Sequence, residues 1–304
     1  MNLQGCGTAI VTPFRTDGSL DEAALFAHVE WQIENGVSLL VPAGTTGEAS
    51  TLTEAELVRV IETTVAASAG RAPVFAGCTH NNTRQAIANA KKLSHITGLT
   101  GLLTANPYYN KPNQEGQYQH FRAIAHATSL PLMLYNIPAR TGANLEPETV
   151  LRLAEIENIV AIKESSGNIA QITEILAHAP RGFQVFSGDD GFGLATLALG
   201  AAGLISVASN AIPQQISQMV NAALAGDFTA ARRVNRHYFG FMQACFLEPS
   251  PAPIKGILSL LGRGNETLRL PMVPVAAKTR QRLETVLGEL GLLPGSPHSN
   301  VRVF

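Results

Sequence analysis

Residues 159–168 read IVAIKESSGN: four apolar residues, as a buried strand requires, then Lys163, Glu164 and a Ser-Ser-Gly turn. The stretch sets the pattern for the chain, in which short apolar runs end in glycine and polar residues and alternate with longer segments of helical period. The runs are TAIVTP (8–13), SLLVPA (38–43), PVFAG (73–77), GLLTANP (101–107), LPLMLYN (130–136), IVAIKE (159–164), FQVFSG (183–188) and GLISVAS (203–209). Between and after them the spacing predicts amphipathic helices over 21–35, 53–69, 83–97, 114–128, 146–155, 169–179, 191–199 and 213–225. Thr53 with Glu56 three residues on has the form of a capping box. Eight strand–helix units predict an α/β fold, a (β/α)8 barrel of the TIM type. A doubly wound open sheet is the competitor, disfavoured because no GxGxxG turn follows the first strand.

Strand signals stop after Ala225, and three further helices are expected in 227–246, 250–262 and 274–291. The expected organisation is a barrel over 1–225 carrying the active site, a C-terminal three-helix domain over 226–293, and a frayed tail over 294–304, which is rich in Pro, Gly and Ser. A chain of 304 residues accommodates such a barrel as one domain with an appendage.

Hydrophobic residues make up 45% of the chain, charged residues 15%, and the formal net charge is -1. That balance supplies no basic field for nucleic acid or anionic lipid, so neither is an expected partner. No apolar run reaches the length of a membrane span, and the N-terminus lacks a signal-peptide pattern. Cys6, Cys78 and Cys245 are odd in number, widely spaced and set among apolar residues, as reduced packing thiols would be. A cytoplasmic protein is expected.

In a (β/α)8 barrel the catalytic groups come from the C-terminal ends of the strands. Here those positions hold Thr45 and Thr46, Tyr108 and Tyr109, Tyr135 and Asn136, Lys163, Ser187 to Asp190, and Ser206. Burial disfavours the ammonium form of an amine, and it is the neutral amine that attacks a ketone, so Lys163 suits Schiff-base chemistry. A plain ion pair with a carboxylate is the alternative; alternation along the strand points Glu164 to the other face, which weakens that pairing. Tyr135, one strand earlier, could act as general acid and base, or could simply pack. GTTGE (44–48) offers backbone N–H groups and two hydroxyls to a small carboxylate, or is a bare turn. Arg140 offers a planar fork to a second carboxylate, though exposed arginines are usually solvated. Asp189 and Asp190 read as helix N-caps in preference to metal ligands, His80 stands alone, and neither a GxSxG elbow nor a P-loop is present.

GTTGE, ANPYYNKP (105–112), LYNIPARTG (134–142), IKESSGN (162–168) and FSGDD (186–190), in that order over 5–293, resemble the dihydrodipicolinate synthases. These belong to the pyruvate-dependent class I aldolases, with N-acetylneuraminate lyase. The resemblance implies a (β/α)8 barrel with a C-terminal helical domain, a homotetramer built as a dimer of dimers, and no metal or organic cofactor. It implies condensation of pyruvate with L-aspartate-4-semialdehyde, the 4-hydroxy-tetrahydrodipicolinate synthase reaction of lysine and diaminopimelate biosynthesis. By the same resemblance Lys163 forms the covalent pyruvate imine and Tyr135 shuttles protons. Thr45 links that phenol to Tyr109, which reaches in from a neighbouring subunit. Thr46 holds the pyruvate carboxylate, Arg140 receives that of the semialdehyde, and Gly188 and Ile205 line the pyruvate pocket. Sialic acid lyases of the superfamily have GSTGE and lack the arginine after YNIP, so Thr45 with Arg140 favours the synthase over a sugar acid lyase. A non-catalytic barrel serving as a binding module is the remaining alternative.

One region departs from the resemblance. Feedback-inhibited members bind lysine through a serine, two histidines and a glutamate where this chain has Ala49, Glu54, Leu57 and Gln85, while Asn81 and Tyr108 are retained. Weak or absent lysine inhibition is expected. Cys78, Thr79 and His80 stand near the same region, where small residues are usual.

Overall fold

The computed structural model of the chain describes residues 3–295. Eight strands, β1 (Gly5–Ala9), β2 (Leu39–Val41), β3 (Phe75–Gly77), β4 (Gly101–Ala105), β5 (Leu132–Asn136), β6 (Ile159–Glu164), β7 (Gln184–Ser187) and β8 (Gly203–Ser206), form one sheet in the order β2-β1-β8-β7-β6-β5-β4-β3. All neighbours are parallel, and β1 pairs with β8, so the first strand meets the last. The remaining seam is closed by backbone bonds from Leu40 to Pro73 (3.0 Å) and from Gly77 to Pro42 (3.0 Å). The expected barrel is therefore the observed one.

The interleaved helices are α1 (Glu22–Glu34), α2 (Glu54–Ser68), α3 (Thr83–Leu93), α4 (Gln114–Ala125), α5 (Pro138–Thr141), α6 (Pro147–Ala154), α7 (Ile169–His178), α8 (Gly193–Ala198) and α9 (Pro213–Leu224). Then come α10 (Phe228–Ala244), α11 (Ala252–Leu260) and α12 (Ala277–Glu289), within the three segments read as helices. The Thr53–Glu56 capping box forms in both directions. Of the expected frayed tail, Pro294 and Gly295 are in a turn, and 296–304 lie outside the described residues. No described helix is long and apolar enough to cross a membrane.

Strand alternation separates two apolar clusters. Leu39, Val41, Phe75, Leu103, Met133, Ala161, Phe186 and Ile205 fill the barrel interior. Leu40, Leu102, Leu134, Ile162, Val185 and Leu204 face the helices. Each such fully buried side chain contributes roughly 2 kcal/mol. Because Ala161 points inward, so does Lys163, and Glu164 shares the outer face of Ile162.

Two local readings need correction. The first strand starts at Gly5, three residues before the TAIVTP run, and ends at Ala9. Glycine propensity argues against a strand there, but a Cβ on Gly7 would lie 3.1 Å from Ile205 Cγ1 and Leu39 Cδ2, so interior crowding selects the glycine. The one-turn helix α5 was not anticipated. Its signal is in IPARTG: Pro138 begins the turn, and Gly142, at φ 72°, closes it by donating to the Pro138 carbonyl at 2.9 Å.

The barrel wall also buries two imidazoles. His28 Nε2 meets Asn210 Oδ1 at 3.1 Å, and His120 Nδ1 meets Thr83 Oγ1 at 2.9 Å. Desolvation pushes both down from 6.5 to about 4. Folded values below the unfolded one mean that the unfolded chain takes up the proton first. The stability contributed by the neutral rings is thus complete above pH 6.5 and is lost as pH falls towards 4. The expected loss is on the order of 3 kcal/mol per histidine. His28→Gln should flatten the fall of Tm across that window, and an unchanged slope would refute the assignment.

Candidate active site

Lys163 and Tyr135 are directly opposite in the β5–β6 register, and the lysine Nζ lies 4.3 Å from the centre of the phenol ring. Both are buried, at 5% and 6% exposure. Lys163 forms no ion pair among the described residues. The carboxylate next to it is engaged elsewhere: Glu164 Oε1 accepts from Asn136 (2.6 Å) and Gln171 (3.0 Å), and Oε2 from the Ser166 N–H and hydroxyl (both 2.9 Å). The amine is thus left for chemistry, while Glu164 and Asn136 staple the two strand ends from behind.

Gly188 follows β7 and abuts the lysine stem. A Cβ there would lie 2.7 Å from Lys163 Cε, 2.8 Å from its Cγ and 2.1 Å from Ser165 Oγ. The Ser165 hydroxyl is itself buried without a hydrogen-bond partner among the described residues. Ile205 is fully buried inside the barrel with Tyr135.

A cavity of roughly 700 Å³ opens over the ends of β2 to β5, with Tyr135 in its wall and Lys163, Gly188 and Ile205 outside its lining. Thr45, Tyr135, Ile137, Arg140 and Thr141 form one part of its wall. Thr45 is exposed, whereas Thr46 is buried at 5% and lies outside the lining. Arg140 stands exposed on α5, and its guanidinium donates to the Ser250 carbonyl at 3.3 Å. The turn that carries the threonines approaches β3 closely: Ala43 has φ 53°, and a Cβ on Gly77 would fall 1.8 Å from its carbonyl oxygen. Only glycine fits at that point.

The rest of the same wall includes Glu54 and Leu57 of α2 and Gln85 of α3, with Ala49 from the single 3-10 turn ahead of α2 and with Tyr108 and His80 beside them. Gln85 bonds Asn89 at 2.9 Å and Glu54 pairs with Lys92 at 2.8 Å. Cys78, also in the wall, has its thiol pushed up to about 12 by burial. Asn81 is not in the lining; its amide donates to the Tyr108 carbonyl at 3.2 Å.

Tyr109 joins neither group. It is 88% exposed with φ 73°, and its N–H donates to the Thr141 carbonyl at 3.3 Å. The N-cap reading holds for neither aspartate, since the N-cap of α8 is Phe192, with no side-chain cap bond. Asp189 accepts from the Gly191 and Phe192 N–H groups ahead of α8. Asp190 is buried, faces Ser206 and accepts from the Val207 and Ala208 N–H groups, so it secures the turn after β8 instead. Burial raises its carboxyl above the ordinary range. Among the described residues no group of three or more His, Cys, Asp or Glu could hold a metal ion.

Reading strand ends missed the groups that hold the site from outside it. Asn136 and Glu164 were noted without this role, and Gln171, which completes their set, and the Glu48–Lys255 pair were not singled out. The one signal available was that Glu48 directly follows the Gly-Thr-Thr-Gly turn.

A buried amine and a buried phenol on adjacent strands at the mouth of a (β/α)8 barrel define a lyase of the Schiff-base, class I aldolase type. The profile of the Dihydrodipicolinate synthetase family matches residues 2–290, and the chain belongs to that family. It is 57% identical over 298 residues to the 4-hydroxy-tetrahydrodipicolinate synthase of Acidobacterium capsulatum, covering 98% of this chain and 99% of the relative. Among solved structures it resembles the Acinetobacter baumannii dihydrodipicolinate synthase complexed with pyruvate, with a TM-score of 0.93, 40% identity, and coverage of 95% of this chain and 99% of that one. It also resembles the Cyanidioschyzon merolae enzyme with lysine bound, with a TM-score of 0.92, 40% identity, and coverage of 95% and 99%.

Proposed function

We propose that the protein is a 4-hydroxy-tetrahydrodipicolinate synthase, condensing pyruvate with L-aspartate-4-semialdehyde through an imine on Lys163. The observation that carries this reading is the buried Lys163–Tyr135 pair, with Tyr135 and Arg140 both in the cavity wall. The Lys163 amine adds to the pyruvate ketone and water leaves, giving an iminium. Loss of a methyl proton gives the enamine, whose carbon attacks the aldehyde. The Tyr135 phenol protonates the departing hydroxyl, takes up the methyl proton as the phenolate and returns it to the new alkoxide; the substrate's own amino group then displaces Lys163 from the imine carbon, closing the ring and freeing the amine. Arg140 offers its fork to the semialdehyde carboxylate, and Thr45 and Thr46 offer hydroxyls to the pyruvate. Neither a metal nor an organic cofactor enters these steps. The pyruvate-bound relative from Acinetobacter baumannii supports the first substrate.

The test is a coupled reductase assay. With both substrates present, NAD(P)H should be consumed, and borohydride with pyruvate should add a reduced pyruvyl mass to Lys163. Turnover of a sugar acid alone, or no adduct on folded protein, would reject the reading in favour of a lyase or a non-catalytic barrel.

The assembly we propose is a homotetramer, a dimer of dimers. The Tyr109 side chain supports it, being 88% exposed and outside the cavity lining of its own chain. Residues 1–225 would form the catalytic barrel and 226–293 an accessory helical domain. Sedimentation velocity reads the assembly directly, and a monomer at assay concentration would overturn it.

The wall around α2 and α3 supports weak or absent lysine inhibition. Leu57 and Ala49 give a charged effector no hydrogen bond through their side chains, Gln85 carries no charge, and the Glu54 carboxylate is already paired with Lys92. Activity is expected to persist at millimolar lysine. Half-inhibition well below about 1 mM would show that the wall still holds the effector.

A further inference from the structure

We propose that Lys255 is a positioning residue, which through Glu48 holds the turn carrying Thr45 and Thr46 in its binding geometry. This rests on the reading of those threonines as the pyruvate-carboxylate site.

Few side chains of the turn itself anchor it, since Thr45 is exposed, Gly44 and Gly47 carry none, and Thr46 and Glu48 are the buried ones. Its polar anchors are few. The Glu48 N–H closes it on the Thr45 carbonyl at 3.0 Å, and Thr12 Oγ1 donates to the Gly47 carbonyl at 2.7 Å. Glu48 sits at φ 53°, a left-handed conformation that a glutamate adopts only when its surroundings impose it.

Those surroundings come from the far end of the chain. Lys255, on α11, pairs with Glu48 Oε1 at 2.5 Å, both side chains being 2% exposed. Its ammonium also donates to the Thr267 carbonyl at 2.9 Å. The Arg269 N–H donates to Glu48 Oε2 at 3.1 Å, while the Arg269 guanidinium donates to the Gly18 and Thr51 carbonyls and to Glu56. Both cations lie over the Phe14 ring, at 4.4 and 4.3 Å. The same segment touches the other wall of the site, where Arg140 donates to the Ser250 carbonyl.

A buried ion pair is a poor source of stability, because an apolar or neutral pair of similar shape usually holds a fold as well. What such a pair does supply is a fixed distance and direction between two elements. Here the fixed element is the substrate turn.

The experiment separates geometry from stability. Lys255→Met strands a buried carboxylate and should lower Tm; the double variant Glu48→Gln with Lys255→Met removes both charges and should recover it. If Lys255 positions the turn, the double variant melts near the wild type yet shows a pyruvate KM raised about tenfold or more. Its Lys163 should still be trapped by borohydride at saturating pyruvate. A purely structural pair predicts that KM returns with Tm, and a folded double variant with wild-type KM overturns the proposal. If the single and the double variant both fail to fold, Lys255→Arg decides. It keeps the cation but displaces Glu48, and should raise the pyruvate KM about threefold or more; an unchanged KM refutes the positioning role. Failure of the underlying reading looks different, since then the wild type itself gives no adduct.

Discussion

Lys163→Ala should lose the borohydride-trapped pyruvyl adduct entirely and reduce turnover by at least about a thousandfold. The alanine leaves Tyr135, Thr45 and Arg140 in place, so substrate can still bind, but no other amine stands beside the phenol. The barrel itself should survive. Lys163 makes no ion pair among the described residues, and its removal leaves no stranded partner charge behind. Lys163→Arg is the sharper version. It retains the cation near the Tyr135 ring but cannot form an imine, so charge and covalency are separated. Mass spectrometry after reduction and the coupled rate read the two effects, and undiminished turnover in either variant would remove the basis of the mechanism.

Gly188→Ala should cost about a hundredfold in turnover although it adds one methyl group and no charge. Its new carbon would sit 2.1 Å from Ser165 Oγ and within 2.8 Å of two carbons of the Lys163 stem, so one or both side chains must move. The φ of Gly188 lies outside the positive range, so backbone strain is not at issue and crowding alone acts. A companion variant divides the crowding. Adding Ser165→Gly removes the closest clash and should restore part of the lost Tm, while the lysine contacts, and most of the kinetic defect, persist. Wild-type turnover in Gly188→Ala would show that the lysine tolerates another position.

Much of the barrel was legible because parallel strands buried on both faces leave uninterrupted apolar runs, and because their ends are punctuated by glycine and polar residues. Lys163 stood out for the same reason, as an amine where an apolar run stops. The start of β1 was not legible, since Gly5 is crowded by Ser38, just before β2, and Gly7 by Leu39 and Ile205 on β2 and β8, whose proximity no local pattern records. Asp190 was misassigned because its partners, Ser206 to Ala208, lie 16 to 18 residues away and not in the helix that follows it. The grouping of Ala49, Glu54, Leu57 and Gln85 came from the family resemblance, and the structure places them in one wall. Residue types along a chain give chemistry; which pairs meet across the barrel is a property of closure.

The anchoring of Glu48 has a consequence for biosynthesis. Its partners lie 207 and 221 residues downstream, and β1 itself must wait for β8. During translation from the N-terminus, the turn with Thr45 and Thr46 emerges early and goes unsecured until α11 has left the ribosome. On the roles proposed above, a nascent or truncated chain ending short of Lys255 would carry all eight strands and Lys163, yet lack a fixed seat for the keto acid, and competence would wait until α11 and Arg269 had been made.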